Sequence, residues 1–577
     1  MNKLIGFTVS RSTIDHAGID VFHSDLNRIE LQYGGFHVYL WGIGDICECI
    51  INEKYSLSFP LAEDLLDRNV LLYFKDESII IENDWLGSIP VFYNETRGIV
   101  PTLSLKTLTD KEIHPEGLAN FVEFGYSILE QTPFKEVKFM RYYSKLVVSR
   151  EGIKIHYKED PVLDEGLFKN TSDETAVFDK IKKYIDAVET ITKDEILIPT
   201  SGGYDSRLLN LCINDRSRIR SYTYGISDDQ SKSFEVVHAK KVSEILGTRW
   251  SQIELGNFDQ YIDDWFKIFG ISTHLHGMYH IEFYKKMRQM DRFTKNATFV
   301  SGIVGDAWAG DIKVEEVHHF NDITKMAYSH GANADKEQLV IRHNSDLRKK
   351  FFYENEGYLA DEKIRIVHLI RFKIILISYI VTVPEYFGFP VWTPYLNFNI
   401  VVDMLNLPEE RRHNRAWQTD LFRKYHLDVE SMDLPKDRSN SLNYQAYINN
   451  DYLTSYQADG LVISTPTGST AYSLSAGGPI VSPEVKVMII TPICPHILHS
   501  RSIVVSNEDV VKIEVCQNNT EVMLTVDGQQ GYKLKAGDVV TIRQAQCHTS
   551  LVKLKDRSFF QVLRKKISEK WDSNRKF

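Results

Sequence analysis

Two stretches of the chain combine residue types and spacings that can do chemistry. In the first, the apolar run EILIP (195–199) leads into Thr200-Ser201-Gly202-Gly203-Tyr204-Asp205-Ser206 and then into the helix-forming RLLNLCI. A glycine pair between a strand and a helix lets backbone approach a phosphate closely, and the helix start offers free N–H groups to the anion. Ser201, Gly202, Gly203 and Ser206 are therefore phosphate-binding candidates, with an ordinary tight strand-to-helix turn as the plain alternative. No Gly-Lys-Ser/Thr follows, which excludes the Walker form of such a loop. The second stretch, ISTPTGSTAYSLSAGGPI (463–480), has a linker's composition, yet it directly follows Asp459-Gly460-Leu461-Val462, which reads as a turn entering a strand. It is either a tether or half of a binding site.

The elements around these stretches change character along the chain. Residues 1–160 alternate short β-type runs (FHVYLWGI, VLLYFKDESIIIEND, KLVVSREGIKIHY) with turns and one helical stretch, HPEGLANFVEFGYSIL, which predicts an α+β layered unit. Residues 172–430 carry long amphipathic helices (ETAVFDKIKKYIDAVETI, FEVVHAKKVSEILG, MYHIEFYKKMRQM, ERRHNRAWQTDLFRKY) around short apolar strands, the pattern of a doubly wound parallel sheet. A linker is expected over 432–442, where proline, charge and small polar residues show no periodicity. Residues 443–577 read as almost purely β, with NN, DGQQG and AGD turns, closed by a helical tail, FFQVLRKKISEKW.

At 577 residues the chain is expected to hold several domains. Hydrophobic content of 43% and charged content of 25% are ordinary globular values, and the net charge of -10 gives no sign of a nucleic-acid partner. The start, MNKLIGFTVSRS, lacks a signal peptide's apolar core. The run IILISYIVTV (374–383) falls short of the roughly 18–20 residues that span a bilayer. A cytoplasmic protein with no membrane partner is expected. Cys47 and Cys49 alternate on a strand-like segment without a second pair at zinc spacing, and His274, His276 and His280 read as packing or pocket lining rather than a metal site.

The SGGxDS form of the first motif resembles the pyrophosphate loop of ATP-pyrophosphatases. Ser301-Gly302, Gly305-Asp306 and Gly310 are similar to the SGxGxDxxxG loop of asparagine synthetases, and PVWTPYLNFNIV (390–401) to that family's PFLD-type segment. NDWLGSIPVFYN (83–94) and HPEGLANFVEFGYSILEQTPFKEVKFM (114–140) resemble its N-terminal half. The resemblance covers about 1–430 and implies an Ntn-type N-terminal layer structure and a central ATP-pyrophosphatase sheet. It also implies an ATP- and Mg²⁺-dependent ligase that adenylates a carboxylate, passes it to an amine and releases AMP and pyrophosphate. Asp205 and Asp306 would share the Mg²⁺, and Glu235 and Gly247 mark the helix on the adenine side; where the family carries a charge-stabilising lysine this sequence departs from it, offering Arg415, Arg423 and Lys424 with no clear equivalent, and Arg415 is taken as the catalytic candidate. Asn2 replaces the nucleophilic cysteine of the family's glutaminases, so glutamine is not the expected nitrogen donor.

Residues 459–483, with TPICPHILHSRSIVVS (491–506) and TVDGQQGYKLKAGDVV (525–540), closely resemble the C-terminal β-rich domain of NAD kinases. That resemblance implies a β-sandwich that binds NAD(P) and builds a homo-oligomer through 443–577. Asp459, Thr470, Ala471, Tyr472 and Ser475 would be its dinucleotide residues, supplying hydroxyls and an aromatic face. The stretch is then half a site. The kinases' GGDG loop does not occur in the chain, so the expectation is a ligase with an appended NAD(P)-binding domain. Phosphorylation of NAD to NADP, a non-catalytic ATP/NAD sensor or scaffold, and a joining of halves with no shared function stay open as alternatives.

Overall fold

The computed structural model describes the chain except for residues 1, 14–25, 52–53, 58–64, 102–111, 226–228, 257, 271, 274–276, 295, 328–343, 433, 435–441, 459, 494–500, 517–521, 527–529, 546–558, 560–562 and 564–577. It divides into two compact units, one comprising Met1–Gly225 and Gln230–Pro435, the other Ile226–Asp229 and Lys436–Phe577. Most of the expected linker, His274, His276, Asp459 and nearly all of the expected terminal helix lie outside the described residues.

The first unit begins with antiparallel β layers. Lys3–Ser10 is buried along its whole length and pairs with Phe36–Ile43 and Val100–Pro101; Leu26–Tyr33 pairs with the other edge of Phe36–Ile43. The Leu26–Tyr33/Phe36–Ile43 hairpin turns through Gly34 (φ 59°) and Gly35 (φ 85°), the left-handed pair that a two-residue turn requires. A six-stranded antiparallel sheet runs in the order Gly152–Tyr157, Ser144–Ser149, Ser78–Asn83, Val70–Lys75, Lys54–Ser56, Ile50–Ile51. Cys47 does not lie on a strand: Ile46–Glu48 is a short 3-10 turn that the Asp45 carboxylate caps by accepting from the Cys47 N–H at 3.0 Å.

Farther along the same unit, five parallel strands stand in the order Arg249–Gln252, Ile219–Thr223, Ile196–Pro199, Thr298–Val300, Val391–Trp392. The order reverses at the central strand Ile196–Pro199, and in such sheets the carboxyl ends beside the reversal open a crevice. Helices Glu174–Ile191, Phe234–Leu246 and Tyr279–Met290 follow the apolar periodicity. The stretch ERRHNRAWQTDLFRKY is not one helix, however. It breaks into Glu409–Arg412 and Ala416–Lys424, with Asn414 (φ 50°) and Arg415 (φ 56°) left-handed between them. A local pattern of good helix formers cannot reveal such a break, because tertiary contacts hold it open.

The run IILISYIVTV belongs to a longer helix, Glu362–Tyr386, which is long and apolar enough to cross a bilayer by length and composition; 94% of its most apolar window is buried inside the protein. That burial takes in polar residues, among them His368, which is fully buried against the rings of Phe351 and Tyr142. Among the described residues neither ring nitrogen of His368 has a hydrogen-bond partner.

The second unit is antiparallel throughout its described strands. Asp451–Ala458, Leu442–Ile448, Val511–Val515 and Val539–Ile542 form one sheet, and Gly460–Ser464, Val487–Ile493 and Ile503–Ser506 another, with a hairpin from Val522–Val526 and Gln530–Leu534. Its core is small, centred on Tyr444, Tyr456, Met488, Ile490, Ile513 and Val515. The protein is thus mixed α/β, with several sheets in more than one unit.

Burial pushes the His368 pKa down to about 3, with Arg371 adding repulsion. A histidine depressed in the fold binds its proton first in the unfolded chain, so stability is lost as pH falls from about 6.5 toward that value, at about 1.4 kcal/mol per unit. His368→Leu is expected to flatten the acid side of the stability profile between about pH 6.5 and 4. Urea unfolding of both forms across that range checks it; parallel profiles would contradict the assignment.

Candidate functional site

The central strand Ile196–Pro199 delivers the chain to Ser201, and the helix Tyr204–Cys212 takes it away. The loop between them is tightly determined. The Ser201 N–H donates to Ser206 Oγ at 3.1 Å, the Gly203 N–H to Ser201 Oγ at 3.1 Å, and Asn210 Nδ2 to the Ser206 carbonyl at 2.8 Å. A side chain at position 202 would meet Phe234 at 2.9 Å, so only glycine fits that approach. The Gly202 carbonyl accepts from Arg207 Nη2 at 2.8 Å, and the buried Arg207 guanidinium also binds Glu430 at 2.6 and 2.8 Å. Glu430 is thereby held below its usual carboxylate range in spite of burial.

Asp205 and Asp306, about a hundred positions apart, meet. The Asp306 N–H donates to Asp205 Oδ2 at 2.8 Å, and Gly305 lies so close that an added Cβ would stand 2.5 Å from Asp205 Cγ. The buried Asp205 Oδ1 has no hydrogen-bond partner among the described residues. Burial, with repulsion from Asp306, holds the Asp205 carboxyl well above the usual carboxylate range, while Arg415 opposes the shift. The left-handed turn places the Arg415 guanidinium 4.5 Å from the centre of the Tyr204 ring and 3.2 Å from Asp311. The structure therefore gathers Ser201, Gly202, Gly203, Asp205, Ser206, Gly305, Asp306 and Arg415 at one sheet end.

Sequence reasoning missed Lys373 there. It is buried on Glu362–Tyr386, and desolvation pushes its pKa down to about 8, with Asp306 the carboxylate that opposes the shift. A lysine at the head of an apolar run was the available signal, since a buried ammonium must answer to a carboxylate. Glu235 lies in the first turn of Phe234–Leu246, and Gly247 caps that helix at φ 69°. Asn2 accepts the Asp45 N–H at 2.9 Å and donates to Glu48, an anchoring role.

In the second unit, Gly460–Ser464 leads into a short turn, Thr467–Thr470, and then Tyr472–Ser475. Ser469 Oγ donates to the Pro466 carbonyl at 2.6 Å and accepts the Val481 N–H at 3.0 Å, which closes the stretch on itself. Ser473 Oγ meets Thr491 Oγ1 at 3.1 Å, and a Cβ at position 478 would collide with both, at 2.4 and 2.7 Å. The inward serines and Gly478 build the bend, while Ala471, Tyr472 and Ser475 are exposed on it, Tyr472 by 62%. This is an ordered loop with an outward aromatic ring.

Residues 433–554 match the family model of the ATP-NAD kinase C-terminal domain. The chain is 56% identical over 125 residues to an NAD kinase of Thermoanaerobacter sp. (strain X514), covering 22% of this chain and 44% of the relative. It is 51% identical over 131 residues to the NAD kinase of Moorella thermoacetica, covering 23% and 42%. A solved yeast NADH kinase complexed with NADH is 41% identical, covers 18% of this chain and 30% of that one, and has a TM-score of 0.17. The chain thus spans less than half the length of the curated relatives it matches. The C-terminal part is NAD-kinase-like. The expected amide-forming ligase, with its carboxylate and amine substrates, is corrected by these matches, because the curated relatives are NAD kinases.

Gly305→Ala is expected to cost about 1–3 kcal/mol, because its methyl must displace the Asp205 carboxylate. Gly357→Ala, where nothing lies within 4 Å, serves as the neutral control. Denaturant midpoints of the two variants decide; equal midpoints would mean that the Asp205 contact is not tight.

Proposed function

We propose that this chain binds NAD through its 436–577 unit and phosphorylates it to NADP at the expense of ATP. The observation that carries the reading is the match of residues 433–554 to the ATP-NAD kinase C-terminal domain, at up to 56% identity with curated NAD kinases. The exposed Ala471, Tyr472 and Ser475, with Thr470 beside them on the closed loop, support it as hydroxyl and ring contacts for the dinucleotide. Asp459 is kept in that set from the sequence alone.

Within the first unit, and independently of where the transfer takes place, the loop at Ser201, Gly202, Gly203 and Ser206 is proposed as a nucleotide-phosphate site, since its glycine approach and helix start suit phosphate oxygens. The unpartnered, buried Asp205 Oδ1 beside Asp306 is the donor set of a hard cation, and Mg²⁺ fits it. Bound there, Mg²⁺ would supply neutralisation of phosphate charge. Arg415 and Lys373 bring further positive charge to the same end of the sheet, so this chain's own contribution is positioning and electrostatic stabilisation. A cytoplasmic location and assembly of identical copies through the 436–577 unit belong to the same proposal. The assembly is supported by exposed apolar side chains there, Val504, Met523, Tyr532 and Val539 among them.

A second reading is dinucleotide binding without turnover. It is favoured by the lack of a GGDG sequence anywhere in the 577 residues. Incubation of the full chain with ATP, Mg²⁺ and NAD, with the nucleotides separated by chromatography, distinguishes the two. ADP with NADP is the expected outcome; intact ATP alongside calorimetric binding of NAD establishes the second reading, and no NAD binding overturns both. Tyr472→Ala is expected to weaken NAD binding about ten-fold, about 1.4 kcal/mol, the scale of one aromatic contact. Calorimetry of the variant checks it, and unchanged affinity would remove Tyr472 from the site.

A further inference from the structure

A cavity of about 300 Å³ lies within the first unit, lined by residues of its antiparallel layers and by the helices Asp346–Asn355 and Glu362–Tyr386. It includes none of the residues of the Ser201–Ser206 loop, nor Asp205 or Asp306. Its floor is apolar and aromatic, built from Phe139, Phe351, Phe372, Ile374 and Ile375.

The charges around that floor are unevenly satisfied. Arg371 is already neutralised: it grips Asp160 at 2.6 and 2.9 Å, donates to the Trp85 carbonyl, and lies 3.5 Å from the centre of the Tyr142 ring. Lys138 is paired with Glu95 at 3.4 Å. Arg141 makes no ion pair among the described residues. Its guanidinium lies 5.2 Å from the Tyr142 ring centre and 4.7 Å from that of Tyr157, and its Nε is buried with no hydrogen-bond partner among the described residues. A guanidinium stacked on rings but given no carboxylate is prepared for an anion from outside.

The opposite charge stands at the Tyr157 hydroxyl. Tyr157 donates its hydroxyl to Glu130 Oε2 at 2.8 Å, and Glu354 lines the same cavity with no ion-pair partner among the described residues. Partial burial and the Glu130 charge raise the Tyr157 hydroxyl's pKa, which keeps it a donor to that carboxylate. The backbone at Glu130 is held in a costly conformation: Leu129 (φ 56°) and Glu130 (φ 63°) are both left-handed. The Glu130 carbonyl accepts the Phe139 N–H at 3.1 Å, and the Arg141 carbonyl accepts from Asn83 Nδ2 at 2.9 Å and Ser144 Oγ at 2.7 Å. The Leu129 and Glu130 pair is the two-residue turn between the bridged Ile128 and Gln131, which fixes where the Glu130 side chain starts, and an apolar cavity with a few convergent polar groups is the usual form of a ligand site.

We infer that this cavity binds a small zwitterion with an apolar body, of the α-amino-acid class, its carboxylate on Arg141, its ammonium on Glu130 and Glu354, and its side chain on the phenylalanine floor. Lys350, four residues before Glu354 on the same helix, also lines the cavity, so the lining carries both signs of charge, and a molecule carrying both charges satisfies it better than a simple anion or a simple cation. The inference does not rest on the kinase reading.

The test is calorimetry on the full chain with three probes: L-phenylalanine, 3-phenylpropionate with the carboxylate alone, and 2-phenylethylamine with the ammonium alone. L-phenylalanine is expected to bind saturably, and each half-charged probe at least ten-fold more weakly. Arg141→Gln is expected to weaken L-phenylalanine at least ten-fold and to abolish the residual carboxylate binding while sparing the amine; Glu130→Gln should do the reverse. Lys138→Gln, whose partner is Glu95, should change nothing. Both Arg141 and Glu130 are held by their backbone atoms, and a thermal-unfolding midpoint within a few degrees of the parent confirms that each variant is folded. Failure of L-phenylalanine to saturate at on the order of 10 mM overturns the inference. So does equal affinity for either half-charged probe, or binding indifferent to both substitutions.

Discussion

The helix Glu362–Tyr386 is buried on nearly every side, yet it carries Arg365, His368, Arg371, Lys373 and Glu385. Each buried charge on it has to be answered by a partner, since an unpaired one costs several kcal/mol. Arg365 is met by the carbonyls of Val314, Leu359 and Ala360, Arg371 by Asp160 and the Trp85 carbonyl, and Glu385 by Lys3 at 2.9 Å and Arg68 at 3.8 Å. Arg68 also donates to Ser378 and Thr382 of the same helix. One helix thereby ties the first strand, the antiparallel layers and the parallel sheet into a single unit.

Both candidate sites of that unit inherit their charges from this requirement. Lys373 faces the region where Asp306 meets Asp205, so the apolar helix contributes a cation to the sheet end. Two residues earlier, Arg371 is fully spent on Asp160, which leaves Arg141 as the guanidinium of the cavity lining with capacity for a ligand. The buried pair of Arg207 and Glu430 acts similarly on the loop, since it fixes the Gly202 carbonyl from behind. Charge satisfaction in the interior, more than the surface loops, decides where binding capacity is left over.

The second unit works on a smaller core and a different device. Hydroxyl contacts between Ser473 and Thr491, and the lack of a side chain at Gly478, let the 463–480 stretch fold tightly enough to turn Tyr472 outward. A stretch rich in Ser, Thr and Gly reads as flexible by composition, yet its order comes from hydroxyls that close on backbone groups.

The sequence by itself determined the local chemistry: which segments alternate, where a glycine pair joins strand to helix, and that 443–577 carries an NAD-kinase-like pattern. Strand and helix identity follow from periodicity, and the Ser201–Ser206 loop from residue types that few other structures need. Other features were decided only in three dimensions. Asp205 and Asp306 meet because the central strand and its neighbour Thr298–Val300 lie side by side. The break at Asn414 and Arg415 is held by contacts distant in sequence, including Arg415 with Tyr204 and Asp311. Cys47 turned out to sit on a 3-10 turn because the Asp45 cap outweighs strand alternation. The roles of Lys373 and Arg141 depend on which carboxylates end up beside them and which are already taken. Pairing of buried charges is a property of the packed interior, and no local reading of residue types contains it.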